Sequence, residues 1–77
     1  MPMQKSYSLV TGAAGFIGAH VVNELIAGNK NVIALDDLSG GFRDNVNSKA
    51  IFIEGSVTDH DLMERIFNEY NIEYVYH

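Results

Sequence analysis

Short apolar runs and helical stripes take turns along this chain. Tyr7 to Val10 is an apolar run of strand length. From Phe16 onward, Ile17, Val21, Val22, Leu25 and Ile26 recur at helical spacing on one side, and Gly28-Asn29 supplies a C-terminal stop. Asn31 to Leu35 forms a second apolar run that ends at Asp36. An irregular stretch, Asp37 to Lys49, separates it from Ala50 to Glu54, which reads as a third strand with Ile51 and Ile53 on one face and Phe52 on the other. Thr58 or Asp59 can cap a second helix in which Leu62, Ile66, Phe67 and Tyr70 face a sheet, and Asn71 is expected to end it. Ile72 to His77 then begins a fourth strand.

Strands alternating with helices predict an α/β fold, and right-handed crossovers order the strands 3-2-1-4, as in a partial Rossmann (doubly wound) parallel sheet. There is one domain, or part of one, without internal repeat or low-complexity linker. Asp37 to Lys49, with Ser39-Gly40-Gly41 and Asn45-Val46-Asn47-Ser48, reads as a ligand-facing loop, the alternative being simple disorder.

The first strand and helix are joined by Thr11-Gly12-Ala13-Ala14-Gly15, and the glycines at 12, 15 and 18 stand three residues apart. Glycines at a strand-to-helix turn let a backbone approach a phosphate, and the helix N-terminus supplies a local positive field. Aligned on its last two glycines, the dinucleotide fingerprint G-x-G-x-x-G places Ala13 where its first glycine belongs, with Gly12 one residue early. In that register Gly12 makes the sharp turn, Gly15 admits a pyrophosphate, and Gly18 lets the helix sit close to the sheet. Glycine triplets also make tight turns for steric reasons alone. The strand, the helix and Asp36, 18 residues beyond Gly18, favour the dinucleotide. An acid there accepts from two ribose hydroxyls and repels a 2′-phosphate, which points to NAD, with Arg43 the only nearby cation that could rescue NADP.

The run VTGAAGFIG, followed by VIALDDLSGG and FIEGSVTD, resembles the N-terminal part of the extended short-chain dehydrogenase/reductases, most closely the UDP-glucose 4-epimerases and related nucleotide-sugar epimerases and dehydratases. The likeness runs from about Tyr7 to His77. It implies that Gly12, Gly15, Phe16, Ile17 and Gly18 hold a pyrophosphate, that Asp36 takes the ribose, and that Asp37, Leu38, Ser39, Gly40 and Gly41 wrap the adenosine end. Ser56-Val57 stands where the family usually has an acid followed by Ile or Val, so the adenine contact lacks its carboxylate. The implied cofactor is NAD and the implied substrate a nucleotide sugar: NAD accepts a hydride from the sugar ring and returns it to the other face. Family catalysis uses a Tyr-x-x-x-Lys pair with a Ser or Thr. None of Tyr7, Tyr70, Tyr74 and Tyr76 begins such a pair, so the chain is expected to hold a cofactor half-site without catalytic residues. Three readings follow: the cofactor-holding part of an epimerase, a non-catalytic NAD-binding or sensing module, or a truncated piece without independent activity.

Composition narrows the remaining chemistry. Five basic and ten acidic residues, net −5, argue against nucleic acid or an anionic membrane as partner, so a phosphate must be held by backbone amides. Met1 to Ser6 is polar and the following apolar stretch breaks at Thr11-Gly12, which gives no targeting segment; with no cysteine, the expectation is a cytoplasmic protein. His20, His60 and His77 lack ligand-like spacing, and Asp36-Asp37 and Asp59-x-Asp61 are accounted for by ribose recognition and capping, so no metal site is expected. Thr11 and Ser39 have no recognisable base partner. A domain of 77 residues buries only about 60–65% of its unfolded surface, and a fourth strand at the chain end leaves an edge exposed. Both features fit an N-terminal piece of a longer enzyme, with self-association through that strand as an alternative.

Overall fold

The computed structural model describes residues 5–77. The polar start read as lacking a targeting segment therefore lies, for residues 1–4, outside the described residues. Four strands, β1 (Ser6–Thr11), β2 (Asn31–Asp36), β3 (Ile51–Glu54) and β4 (Asn71–Tyr76), pair in parallel in the order β3-β2-β1-β4. The helices α1 (Phe16–Ala27) and α2 (His60–Glu69) are carried on the crossovers.

Parallel crossovers put a helix on each face, which is why the buried centres of the two middle strands, Leu9–Val10 and Val32–Leu35, are apolar. On one face Val22 of α1 packs against Val10, Val32 and Ala34, with Phe52 of β3 beside them. On the other, Ile66 of α2 packs against Leu9, Ile33 and Leu35, with Ile53 joining from β3. The alternation read for the third strand is thus observed, with Phe52 and Ile53 on opposite cores.

Two side chains assigned to the apolar stripes lie elsewhere. Ile17 is 77% exposed, on the open cavity it shares with Thr11, Val21 and Tyr76, and Ala19 is buried in its place. Phe67 is 49% exposed. Leu62, Ile66 and Tyr70 recur every fourth residue over the sheet, and Phe67, one residue past Ile66, is turned by about 100° from that line; Met63 packs there instead.

The helix ends follow local chemistry. Asp59 caps α2, its carboxylate accepting from the Leu62 amide at 3.1 Å. At the end of α1 the left-handed residue is Asn29 (φ 61°), whereas Gly28 stays at φ −87°. The Asn29 amide donates to the Ile26 carbonyl and the Lys30 amide to Leu25, both at 3.0 Å, which is the Schellman arrangement. The second helix stops earlier than expected, at Glu69, and Asn71 already belongs to β4. Tyr70 makes this one-residue link in extended backbone (φ −123°, ψ 141°). Its ring meets Tyr7 edge-on at 5.0 Å between centroids, which holds the chain at the reversal.

Candidate functional site

All four strands run the same way, so the segments leaving their C-terminal ends gather on one edge, where open α/β sheets bind ligands. Gly12 leaves β1 at φ +64°, a conformation that a side chain disfavours. The Gly15 amide donates to the Gly12 carbonyl at 3.1 Å and closes the turn. Gly18 is needed for close approach: a Cβ there would overlap the Gly12 carbonyl. The helix is therefore packed on the turn itself, not only on the sheet.

Helix α1 opens on Gly15 with no side-chain cap and no acid in its first turn. Among the described residues, the amides of Phe16, Ile17 and Gly18 find no protein acceptor. Phe16 is 93% exposed, so these donors and the positive end of the helix dipole face open space. Gly15 itself has ordinary backbone (φ −77°, ψ 170°), and a Cβ there would meet only the Gly12 carbonyl oxygen, at 3.4 Å. Nothing in the fold requires glycine at this position, and the space in front of the amides is kept clear. The donor set and the gap suit a pyrophosphate.

Asp36 is tied directly to this turn. Its Oδ2 accepts from the Ala14 amide at 2.9 Å and its Oδ1 from the Leu38 amide at 2.6 Å, with 8% of the residue exposed. These charge-assisted bonds offset the burial of a carboxylate that has no cation beside it among the described residues. They also hold Leu38 at φ 64°, a left-handed conformation that costs an ordinary residue about 1–2 kcal/mol. Each oxygen retains a further lone pair for a ribose hydroxyl.

The stretch from Asp37 to Lys49 is not the disordered loop that its composition allowed. Asp37 accepts from both the amide and the hydroxyl of Ser39, at 2.9 and 2.7 Å. The Ser39 hydroxyl, then its amide, hold the Asp37 carboxyl below its ordinary value. The resulting stabilisation of the loop is present above the usual carboxylate range and is lost as pH falls through the lowered value. Gly40 meets nothing, whereas a Cβ on Gly41 would overlap the Ala14 carbonyl, so the loop lies directly on the glycine turn. Farther on, Asn45 Nδ2 donates to the Ala14 carbonyl at 3.0 Å, Val46 packs on the α1 core, and Asn47 donates to Asn23 of α1 at 3.1 Å. Arg43, the nearby cation that the sequence offered for NADP, stacks 4.8 Å over the Phe52 ring.

The other candidate positions are less committed. The Ser56 hydroxyl accepts from the Thr58 amide at 3.1 Å and shares a bond with the Thr58 hydroxyl at 2.8 Å, so it shapes the approach to α2, and Val57 beside it is exposed. At the junction of β1 and β4 a cavity of about 300 Å³ is lined by Thr11, Gly12, Ile17, Gly18, Tyr76 and His77 among others. One expectation is corrected here: Thr11 does have a base partner, its hydroxyl lying 2.8 Å from His77 Nδ1. The two stand 66 positions apart in the chain, a separation that no local spacing could reveal. His20 pairs only with Glu24, at 4.0 Å on the exposed side of α1. Among the described residues no three His, Cys, Asp or Glu side chains converge, and no helix is long and apolar enough to cross a membrane.

A profile of the NAD dependent epimerase/dehydratase family matches residues 8–77. The chain belongs to that family. A UDP-glucose 4-epimerase from Lactobacillus helveticus is 41% identical over 69 residues, which cover 90% of this chain and 21% of that protein. Among solved structures, the Thermotoga maritima UDP-glucose 4-epimerase with UDP-glucose is 51% identical with a TM-score of 0.87. The Thermus thermophilus UDP-glucose 4-epimerase in complex with NAD is 40% identical with a TM-score of 0.83. In both cases 90% of this chain and 22% of the other are covered. This epimerase-family chain thus spans about a fifth of the length of the curated relatives it matches. The likeness to nucleotide-sugar epimerases and the 3-2-1-4 parallel sheet read from the sequence both hold.

Proposed function

We propose that these 77 residues hold the pyrophosphate and adenosine of NAD for a UDP-glucose 4-epimerase-like enzyme, acting as the N-terminal part of its cofactor domain. The observation that carries this reading is the 2.9 Å bond joining Asp36 to the glycine turn. It sets a buried acid for a sugar ring beside free helix-terminal amides for a diphosphate. Gly12, Gly15 and Gly18 with the amides of Phe16 and Ile17 hold the pyrophosphate. Asp36 takes the ribose, while Asp37, Leu38, Ser39, Gly40 and Gly41 flank the adenosine, with Ser56 and Val57 toward the adenine.

Bound NAD supplies the hydride acceptor for transient oxidation of a nucleotide sugar. The residues present here bind and orient it, and the groups that act on the sugar lie outside them, because no tyrosine of this chain begins a Tyr-x-x-x-Lys pair. The cytoplasmic setting belongs to the same proposal. Self-association through β4, whose Tyr74, Val75 and Tyr76 carry exposed apolar surface, is the alternative to that edge being covered by the rest of such an enzyme.

The test is calorimetric titration with NAD, wild type against Gly15→Val. The valine finds backbone it can adopt, so the denaturation midpoint is expected near that of the wild type. Affinity should fall by about tenfold or more, the equivalent of losing one charge-assisted hydrogen bond. A Gly15→Val protein that folds and binds NAD as the wild type does would remove the turn from the site.

A further inference from the structure

We infer that Asn45, a residue outside the cofactor motif, is a positioning residue for the phosphate-binding turn, and this inference rests on the cofactor reading above. The turn is held peptide by peptide. The Ala13 amide donates to Leu35 at 3.1 Å, continuing the ladder of β1 and β2. The Ala14 amide is held by Asp36. The next peptide, Ala14–Gly15, donates through its N–H to Gly12, and its carbonyl accepts from Asn45 Nδ2 at 3.0 Å. It is the last peptide before the free amides of Phe16, Ile17 and Gly18, so its plane sets the direction in which they begin.

Asn45 is well placed for that task because its own backbone is fixed. It lies in a single 3-10 turn, Arg43–Asn45, with its amide donating to Phe42 at 2.9 Å and the Val46 amide to Arg43 at 3.0 Å. Val46 is anchored in the core and Arg43 is stacked on Phe52. Gly41 lies against the same Ala14 carbonyl, so the loop grips one peptide from two sides. With Asn45 in place, the free amides are oriented before the ligand arrives, and binding does not have to order them.

The test compares wild type, Asn45→Ala and Asn45→Asp, the last of similar size but with an oxygen where the donor stands. Two ligands are titrated: ADP-ribose, which carries the pyrophosphate, and adenosine, which does not. Affinity for ADP-ribose is expected to weaken by about three- to tenfold in Asn45→Ala, the fold-change of one hydrogen bond, and further in Asn45→Asp. Adenosine affinity should be unchanged, and in ¹⁵N spectra of the free proteins the Gly15 and Phe16 amide resonances should move while Gly28 stays in place. Equal losses for both ligands would mark Asn45 as merely structural and overturn the inference. Unchanged ADP-ribose affinity, or unmoved Gly15 and Phe16 resonances, would overturn it as well. A wild-type protein that binds no ADP-ribose would overturn the cofactor reading and this inference with it, a result distinct from binding that ignores Asn45.

Discussion

Gly18→Ala is expected to damage both folding and cofactor binding, more than any other single methyl added to this chain's glycine turn. The new Cβ would overlap the carbonyl of Gly12 and crowd the backbone of Ala13, atoms that cannot swing aside as a side chain can. Relief requires α1 to move off the turn, and this breaks its packing of Val22 on Val10, Val32 and Ala34. Overpacking of this kind costs about 1–3 kcal/mol, and contact with backbone places it at the upper end. In so small a domain that is a large share of the total stability. Urea denaturation provides the measurement, with Gly40→Ala as the control, since a Cβ at Gly40 meets nothing. The control should unfold at or slightly above the wild-type midpoint. If both variants unfold at the same urea concentration, the close approach has no energetic weight.

Asp36→Ala carries the second large effect, because one carboxylate serves two backbone amides, that of Ala14 buried and that of Leu38 part-buried. Its removal leaves the buried donor of Ala14 without an acceptor, at about 1–3 kcal/mol, while the part-buried donor of Leu38 can turn to water at a smaller cost. Leu38 also loses the bond that holds it at φ 64°, so the adenosine loop should loosen along with the turn. Calorimetry should then show weaker NAD binding and a smaller preference for NAD over NADP, since the charge that repels a 2′-phosphate is gone. Asp36→Asn separates the two roles. It keeps one acceptor oxygen and places an amino group against the other backbone donor, so it should stabilise the fold less than Asp and more than Ala while losing the discrimination by charge. An Asp36→Ala protein with wild-type stability would show that the bridge contributes nothing. Unchanged affinity for both dinucleotides would sink the ribose assignment.

Much of this architecture is legible in the order of residues because its causes are local or periodic. The apolar runs at Leu9–Val10 and Val32–Leu35, too short for helices and bounded by turn residues, read as strands covered on both faces, and the helical stripes between them imply crossovers, hence parallel pairing and the order 3-2-1-4. Gly12 could be assigned its turn, and the cap of α2 narrowed to Thr58 or Asp59, of which the structure uses Asp59, because each acts on neighbours within a few residues. The pairing of the glycine turn with Asp36 was also within reach, since a βαβ unit of ordinary length brings its two strand ends together.

Where side chains meet across the fold, the sequence is silent and the tertiary structure decides. Periodicity assigned Ile17 and Phe67 to the core because it marks an apolar side of a helix but not which part of that side the sheet covers. Nothing in the composition of Asp37 to Lys49 indicated that Gly41 and Asn45 would seize the carbonyl of Ala14, or that Thr11 would meet His77. These contacts span 27 to 66 positions in the chain. They exist because the parallel sheet delivers every strand's C-terminal end to one edge, and that convergence, rather than any motif, lays a flexible-looking loop on the glycine turn of the proposed site.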